Sequence, residues 1–234
     1  MNTVPILFDA KGHAISAKRI RQLVVMFGKK YNSATGDIIR DSRELAADGQ
    51  VFIKCAMRIL SSFGMTRSGK FQGSGTAGEA SLKKILSACW DVIGNQLLAV
   101  KGTALASRLS RERYLLEISK AERDWAIAEV WDMTKRLLPF TMSKSSYGLV
   151  GASKIVFSVL PEIALPIDNV QWREVFKTVD LGDVIKRMAA EIERWESVTG
   201  ILLNELGSSE RLTTLPSVYN VVAMDARPKR EAAK

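Results

Sequence analysis

Histidine is the scarcest chemistry-bearing residue of this 234-residue chain, with His13 its one example. A Ser-His-Asp or Cys-His site would have to use His13, which sits in a Gly-containing turn, and a metal centre built on several histidines is excluded. The two cysteines, Cys55 and Cys89, stand far apart with no cysteine or histidine near either. They form neither a disulfide framework nor a zinc spacing, as suits a reducing cytoplasm. No apolar run approaches the roughly 18 residues that mark a membrane span. The opening "MNTVPILFDAKGHAIS" lacks the basic region and long apolar run of a signal peptide. A soluble, cytoplasmic protein is therefore expected, with no membrane role, no cofactor and no metal. Any catalysis would fall to carboxylates, lysine or hydroxyls, or to a borrowed cofactor. Alternating strand patterns are also missing, apart from a short candidate at "YNVVAMD", and no repeat at a fixed period is visible.

Acidic charge is the other shortage. The chain carries a net charge of +9, and residues 1–75 hold 12 Lys and Arg against 5 Asp and Glu, a balance of +7. The excess is thus N-terminal, with a small basic cluster in the tail "ARPKREAAK". An asymmetric basic patch is the electrostatic footprint of a polyanion binder, and nucleic acid is the partner it points to; a solvated lysine-rich face is the bland alternative.

What is abundant is helical periodicity. "ISAKRIRQLVVMFGKKY" aligns Ile15, Ile20, Leu23, Val24 and Phe27, with Ser16 as N-cap. Its other face gathers Lys18, Arg19, Arg21, Lys29 and Lys30, the densest basic cluster and the first candidate for phosphate contact. "NSATGD" is expected to break this helix. A second helix is predicted over 42–63, weakened midway by Gly49, a third over 79–101, and a fourth over 103–119 in which Arg108 and Arg111 are further candidate phosphate contacts. A fifth, "AERDWAIAEVWDMTKRLLP", places Trp125 and Trp131 among its inward residues and closes at Pro139. A long helix follows from "LGDVIKRM", then a short one after Pro216. Tryptophan and methionine stripes at this spacing are core and require no cofactor.

Between the second and third helices, "GMTRSGKFQGSGTAGEA" reads as a linker or mobile loop. Gly64 and Gly69-Lys70 imitate part of a phosphate loop, but Phe71 stands where a metal-binding hydroxyl belongs and no strand precedes. Thr76 and Glu79 form a capping box for the next helix. The expected architecture is an all-α bundle of about eight helices: a basic helical pair over 1–66, the Gly/Ser-rich segment 67–78, a main helical domain over 79–228, and a basic tail, 229–234.

One stretch departs from generic helix: "GLVGASKIVFSVLPEIALPIDNVQW", residues 148–172. Gly148 and Gly151 bracket a tight turn, Lys154 opens an apolar helix limited by Pro161, and Pro166 forces an extended "LPID". Asp168 then takes the N-cap of "NVQWREVF". In outline the stretch resembles the helix-hairpin-helix DNA glycosylase superfamily. That resemblance implies that Gly148 and Gly151 hold a DNA phosphate through backbone amides. It further implies that Lys154 attacks the sugar as a Schiff-base nucleophile and that Asp168 is the catalytic carboxylate. Here two residues separate the glycines where the family has one, Ser146-Tyr147 replaces Leu-Pro, and the Lys154-to-Asp168 separation is several residues short. The same residues are similar to a Ser-Lys-x-x-Phe-x-x-x-Pro-x-x-x-Pro-x-Asp pattern of helical bacterial proteins without assigned activity, which fits the spacing of both prolines. The structural alternative makes Asp168 an N-cap and Lys154 a snorkelling surface cation. Two functions follow as expectations: nucleic-acid binding with Asp168-assisted base excision, or a non-enzymatic helical protein acting through protein partners. Oligomeric state leaves no sign in the sequence.

Overall fold

The computed structural model describes residues 5–27, 29–45, 47–67, 71, 75–141, 148–207 and 211–228. Among the described residues the fold is about 74% helical. No strand forms among the described residues; a single antiparallel bridge pairs Phe8 with Ala14. The all-α expectation is met, with "YNVVAMD" helical.

The order is α1 (Ala17–Met26), α2 (Lys29–Asp41), α3 (Gln50–Ser62), α4 (Gly75–Ala106), α5 (Tyr114–Glu117), α6 (Lys120–Thr141), α7 (Leu149–Phe157), a π-helical turn (Gln171–Phe176), α8 (Leu181–Thr199) and α9 (Leu215–Asp225). Short 3₁₀ turns bridge several of these. Helix α7 is the axis of the arrangement. All nine of its residues are buried, and it packs against α3 and α6. A helix apolar all round, with Lys154 its sole charge, has no side to offer water. Around it α4 packs on α3 and α6, α8 on α5 and α6, and α9 on α1. A single cluster of buried apolar side chains runs from Ile6 to Ala223 and takes in α1, α2 and α3 together with everything after the Gly-rich segment.

Local signals explain most boundaries. Ser16 Oγ accepts the Arg19 amide at 3.3 Å and starts α1, as the sequence predicts. Asp180 starts α8 by accepting the Asp183 amide at 2.9 Å, and Gly200, at φ +70°, ends it.

Four boundaries differ from the sequence reading, each for a tertiary reason. "NSATGD" lies inside α2: burial of Tyr31, Ala34, Thr35, Ile38 and Ile39 outweighs poor propensity, and Gly36 lets the backbone at Arg211 approach. The predicted 42–63 helix divides at Gly49, which adopts φ +70° and lies against Trp90, 2.8 Å from where a Cβ would sit. Helix α4 begins at Gly75 within the proposed linker and ends at Ala106, after which a turn carries Arg108. Pro139 is inside the last turn of α6, where it removes a single N–H from the ladder. On that helix the inward face is Ala126, Ile127, Val130, Met133, Thr134 and Leu137, while Trp125 is 39% exposed.

Segments 68–70, 72–74, 142–147 and 229–234, the side chains of Lys29, Lys30 and Thr76, and therefore the expectations placed on them, lie outside the described residues.

Candidate functional site

The 148–172 stretch comprises α7, a two-proline segment and the start of the helix capped by Asp168. Gly148 adopts φ +86° and forms the N-cap of α7, its carbonyl accepting Thr141 Oγ1 at 2.8 Å. Gly151 belongs to the first turn of that helix, where an added Cβ would lie 2.8 Å from Phe71 and 3.0 Å from Thr141. Both glycines are buried: Gly148 supplies a left-handed turn into α7, and Gly151 lets Phe71 and Thr141 pack closely.

Asp168 caps the next helix through a reciprocal pair. Its Oδ1 accepts the Gln171 amide at 2.8 Å, while its own amide donates to Gln171 Oε1 at 2.9 Å. This is a capping box with Asp and Gln in the two roles. The second oxygen, Oδ2, accepts Arg227 Nη1 at 2.8 Å. Both carboxylate oxygens are thus engaged by protein. Behind the cap, Gln171 Nε2 donates to Asn220 Oδ1 at 3.0 Å, and Asn220 Nδ2 donates to the Tyr31 hydroxyl at 2.9 Å. Burial pushes the Tyr31 phenol up to about 12, so it stays protonated throughout the physiological range. The chain of bonds joins α2, α9 and the Asp168 helix, and holds the cap in one orientation.

Lys154 is buried, only 3% exposed, with its ammonium 4.6 Å from the Phe63 ring centroid and no ion pair among the described residues. Burial lowers its pKa to about 8, a shift that the nearby Asp168 carboxylate opposes. A depressed pKa is what an amine nucleophile requires. Access is what this one lacks, since the residue is almost wholly removed from solvent.

Arg111 is turned inward. With Lys101 it grips Glu162, a carboxylate with no exposed surface, lying between Pro161 and Pro166. Lys101 Nζ donates to both Glu162 oxygens, at 2.9 and 3.0 Å. Burial, and then Arg111, draw the Lys101 pKa well below the lysine range. This triad ties the two-proline segment to α4. The sequence did hold a signal for it: Lys101 falls beside Leu97, Val100 and Ala104, and Glu162 interrupts an apolar run. Arg108 is exposed on the neighbouring turn.

The remaining candidates lie on α1. Lys18 and Arg21 are exposed and make no ion pair among the described residues; with Gln22, Val25 and Met26 they line a shallow surface groove. Val25 is 80% and Met26 65% exposed. Arg19 points toward α9 and pairs with Asp225 at 2.9 Å. Among the described residues no group of three or more His, Cys, Asp or Glu side chains is placed to hold a metal ion, and no helix is long and apolar enough to cross a membrane.

What fold and site together define is a class, an all-α protein with a basic outer helix. Compared with protein-family models, curated proteins and solved structures, the chain matches none.

Proposed function

We propose that the protein binds nucleic acid through the outer face of α1. The observation that carries this reading is the stripe of Lys18, Arg21, Gln22 and Val25, spaced i, i+3, i+4 and i+7, whose two cations have no acidic partner among the described residues. Unpaired cations on one helix face are free to exchange small counterions for phosphates, a sequence-independent gain that falls with salt. The N-terminal charge excess of +7 over residues 1–75 supports the same face. A groove this shallow suits a polyanion surface better than an enclosed small molecule.

The test is fluorescence anisotropy with a labelled duplex at several salt concentrations. Wild type is expected to bind, with affinity falling steeply as salt rises. In Lys18→Ala/Arg21→Ala the log–log salt slope should shrink by about 2, one phosphate per cation. Absence of binding at low salt, or a double variant with the wild-type slope, would overturn the reading.

Base excision at Asp168 is the smaller part of this reading, because Arg227 must release Oδ2 before that carboxylate meets a substrate. Borohydride treatment with abasic DNA is expected to trap no adduct, since Lys154 is enclosed. An adduct lost in Lys154→Ala would restore the lysine to a chemical role. The second reading, contact with a protein partner, is favoured by the exposure of Val25 and Met26 on the same stripe. Under it Val25→Asp weakens capture of the partner while salt has little effect.

A further inference from the structure

An open cavity of about 640 Å³ lies where the C-terminal ends of α1 and α9 meet the helix capped by Asp168. Its walls divide by chemistry. Phe27 and Met224 give an apolar side, Arg173 and Arg227 bring guanidinium groups, and Glu174 and Asp225 bring carboxylates.

The commitments of these charges are unequal. Asp225 is held by Arg19 at 2.9 Å. Arg227 is pinned twice, by Nη1 on Asp168 and by Nε on the Met224 carbonyl, each at 2.8 Å. Its Nη2 makes no hydrogen bond among the described residues. Arg173, exposed at the same opening, makes no ion pair there, and neither does Glu174. One guanidinium is therefore pre-oriented by the scaffold with an edge to spare, and a second has no ion-pair partner among the described residues. A planar fork with several N–H donors matches the oxygens of a phosphate, and a pinned fork loses little entropy on binding. Beside it, the Phe27 ring and the Met224 thioether suit a flat heterocycle. The free Glu174 carboxylate is an acceptor for ribose hydroxyls or an exocyclic amine, which a bare phosphate or a fatty acid would leave unused. The volume falls within the range of small-ligand pockets.

We propose that this cavity binds a nucleoside monophosphate unit, its phosphate on Arg173 and Arg227 and its base against Phe27 and Met224. The unit has two sources, a free nucleotide or the phosphorylated end of a strand; only the second rests on the nucleic-acid reading of α1. Arg19 links the two surfaces, since it belongs to α1 and holds the Asp225 wall.

Isothermal titration of the full chain with AMP, with adenosine and with inorganic phosphate tests this. AMP is expected to bind saturably, and each fragment about tenfold or more weakly. Loss of a charge-assisted phosphate contact in Arg173→Ala should weaken AMP by about 10- to 100-fold. Arg173 is exposed, so that variant keeps its fold. Lys18→Ala/Arg21→Ala should leave AMP binding unchanged, which separates this site from α1. A 5′-phosphorylated oligonucleotide preferred over its unphosphorylated twin, with the preference lost in Arg173→Ala, assigns the site to strand ends; AMP binding without that preference assigns it to free nucleotides. Neither AMP nor the phosphorylated end binding to wild type, or binding equal in wild type and Arg173→Ala, would overturn the proposal, whatever the outcome at α1.

Discussion

Helices α7 and α1 are similar in length and carry lysines that end in opposite surroundings. Helix α7 buries all nine residues, Lys154 included, while α1 leaves Lys18, Arg19, Arg21, Gln22, Val25 and Met26 exposed. The first lysine lies over Phe63 with a lowered pKa; the second meets solvent with no acidic partner among the described residues. In this molecule the stretch richest in motif-like residues belongs to the core, while the exposed cations lie on a plain amphipathic helix. A cation in α7 costs stability, whereas one on α1 costs almost none and stays available to a partner.

The largest effect is expected at the buried triad that holds the segment after α7. Removing one partner of a buried ion pair leaves the others unmatched, so Glu162→Ala should lose about 3–5 kcal/mol in urea unfolding. Replacing the whole triad, in Lys101→Met/Arg111→Leu/Glu162→Leu, should recover most of that; a Glu162→Ala variant as stable as wild type would show that the segment needs no tether.

Next comes Lys154. Its folded pKa of about 8 lies below the ordinary 10.5, so the unfolded chain binds this proton more readily. Stability should therefore rise as pH climbs from about 8 to 10.5, and Lys154→Met should gain up to about 3 kcal/mol at pH 7 with that rise abolished. A destabilised Lys154→Met with an unchanged pH profile would mean that the ammonium contributes favourably where it sits.

Smaller still is the cap. Asp168→Ala should cost about 1 kcal/mol, the usual value of an N-cap, and Asp168→Asn, which can still accept the Gln171 amide, clearly less. A loss of about 3 kcal/mol or more in Asp168→Asn would mean that the Arg227 pair, not the cap, carries the stability. The smallest effect belongs to α1: Lys18→Ala/Arg21→Ala should stay within about 0.5 kcal/mol of wild type, because exposed, unpaired side chains hold nothing together.

Much of this was legible from residues alone. Period-3.6 spacing placed the buried faces of α1, α4 and α8, and Ser16 and Pro216 marked helix starts, because amphipathicity and capping act over a few neighbouring residues. Asp168 as an N-cap was readable for the same reason, and Gln171 three residues on completed the signal. The apolar neighbours of Lys101 and Glu162 signalled their burial, but the pairing of Lys101 with Glu162, of Gln171 with Asn220 and of Asp168 with Arg227 was not readable, since each partner comes from another part of the chain. Gly36, Gly49 and Gly151 look alike as letters. Only Trp90 and Phe71, or the backbone at Arg211, arriving from elsewhere decide what each glycine is for.

Composition and short-range periodicity fix the all-α class, the helix faces, the N-terminal charge excess and the exclusion of a metal centre built on several histidines. The tertiary structure alone decided which cations stay in water, which carboxylates are already occupied, and that the Gly148–Trp172 stretch lies inside. Burial and pairing depend on which distant segments meet, and that is settled when the helices pack.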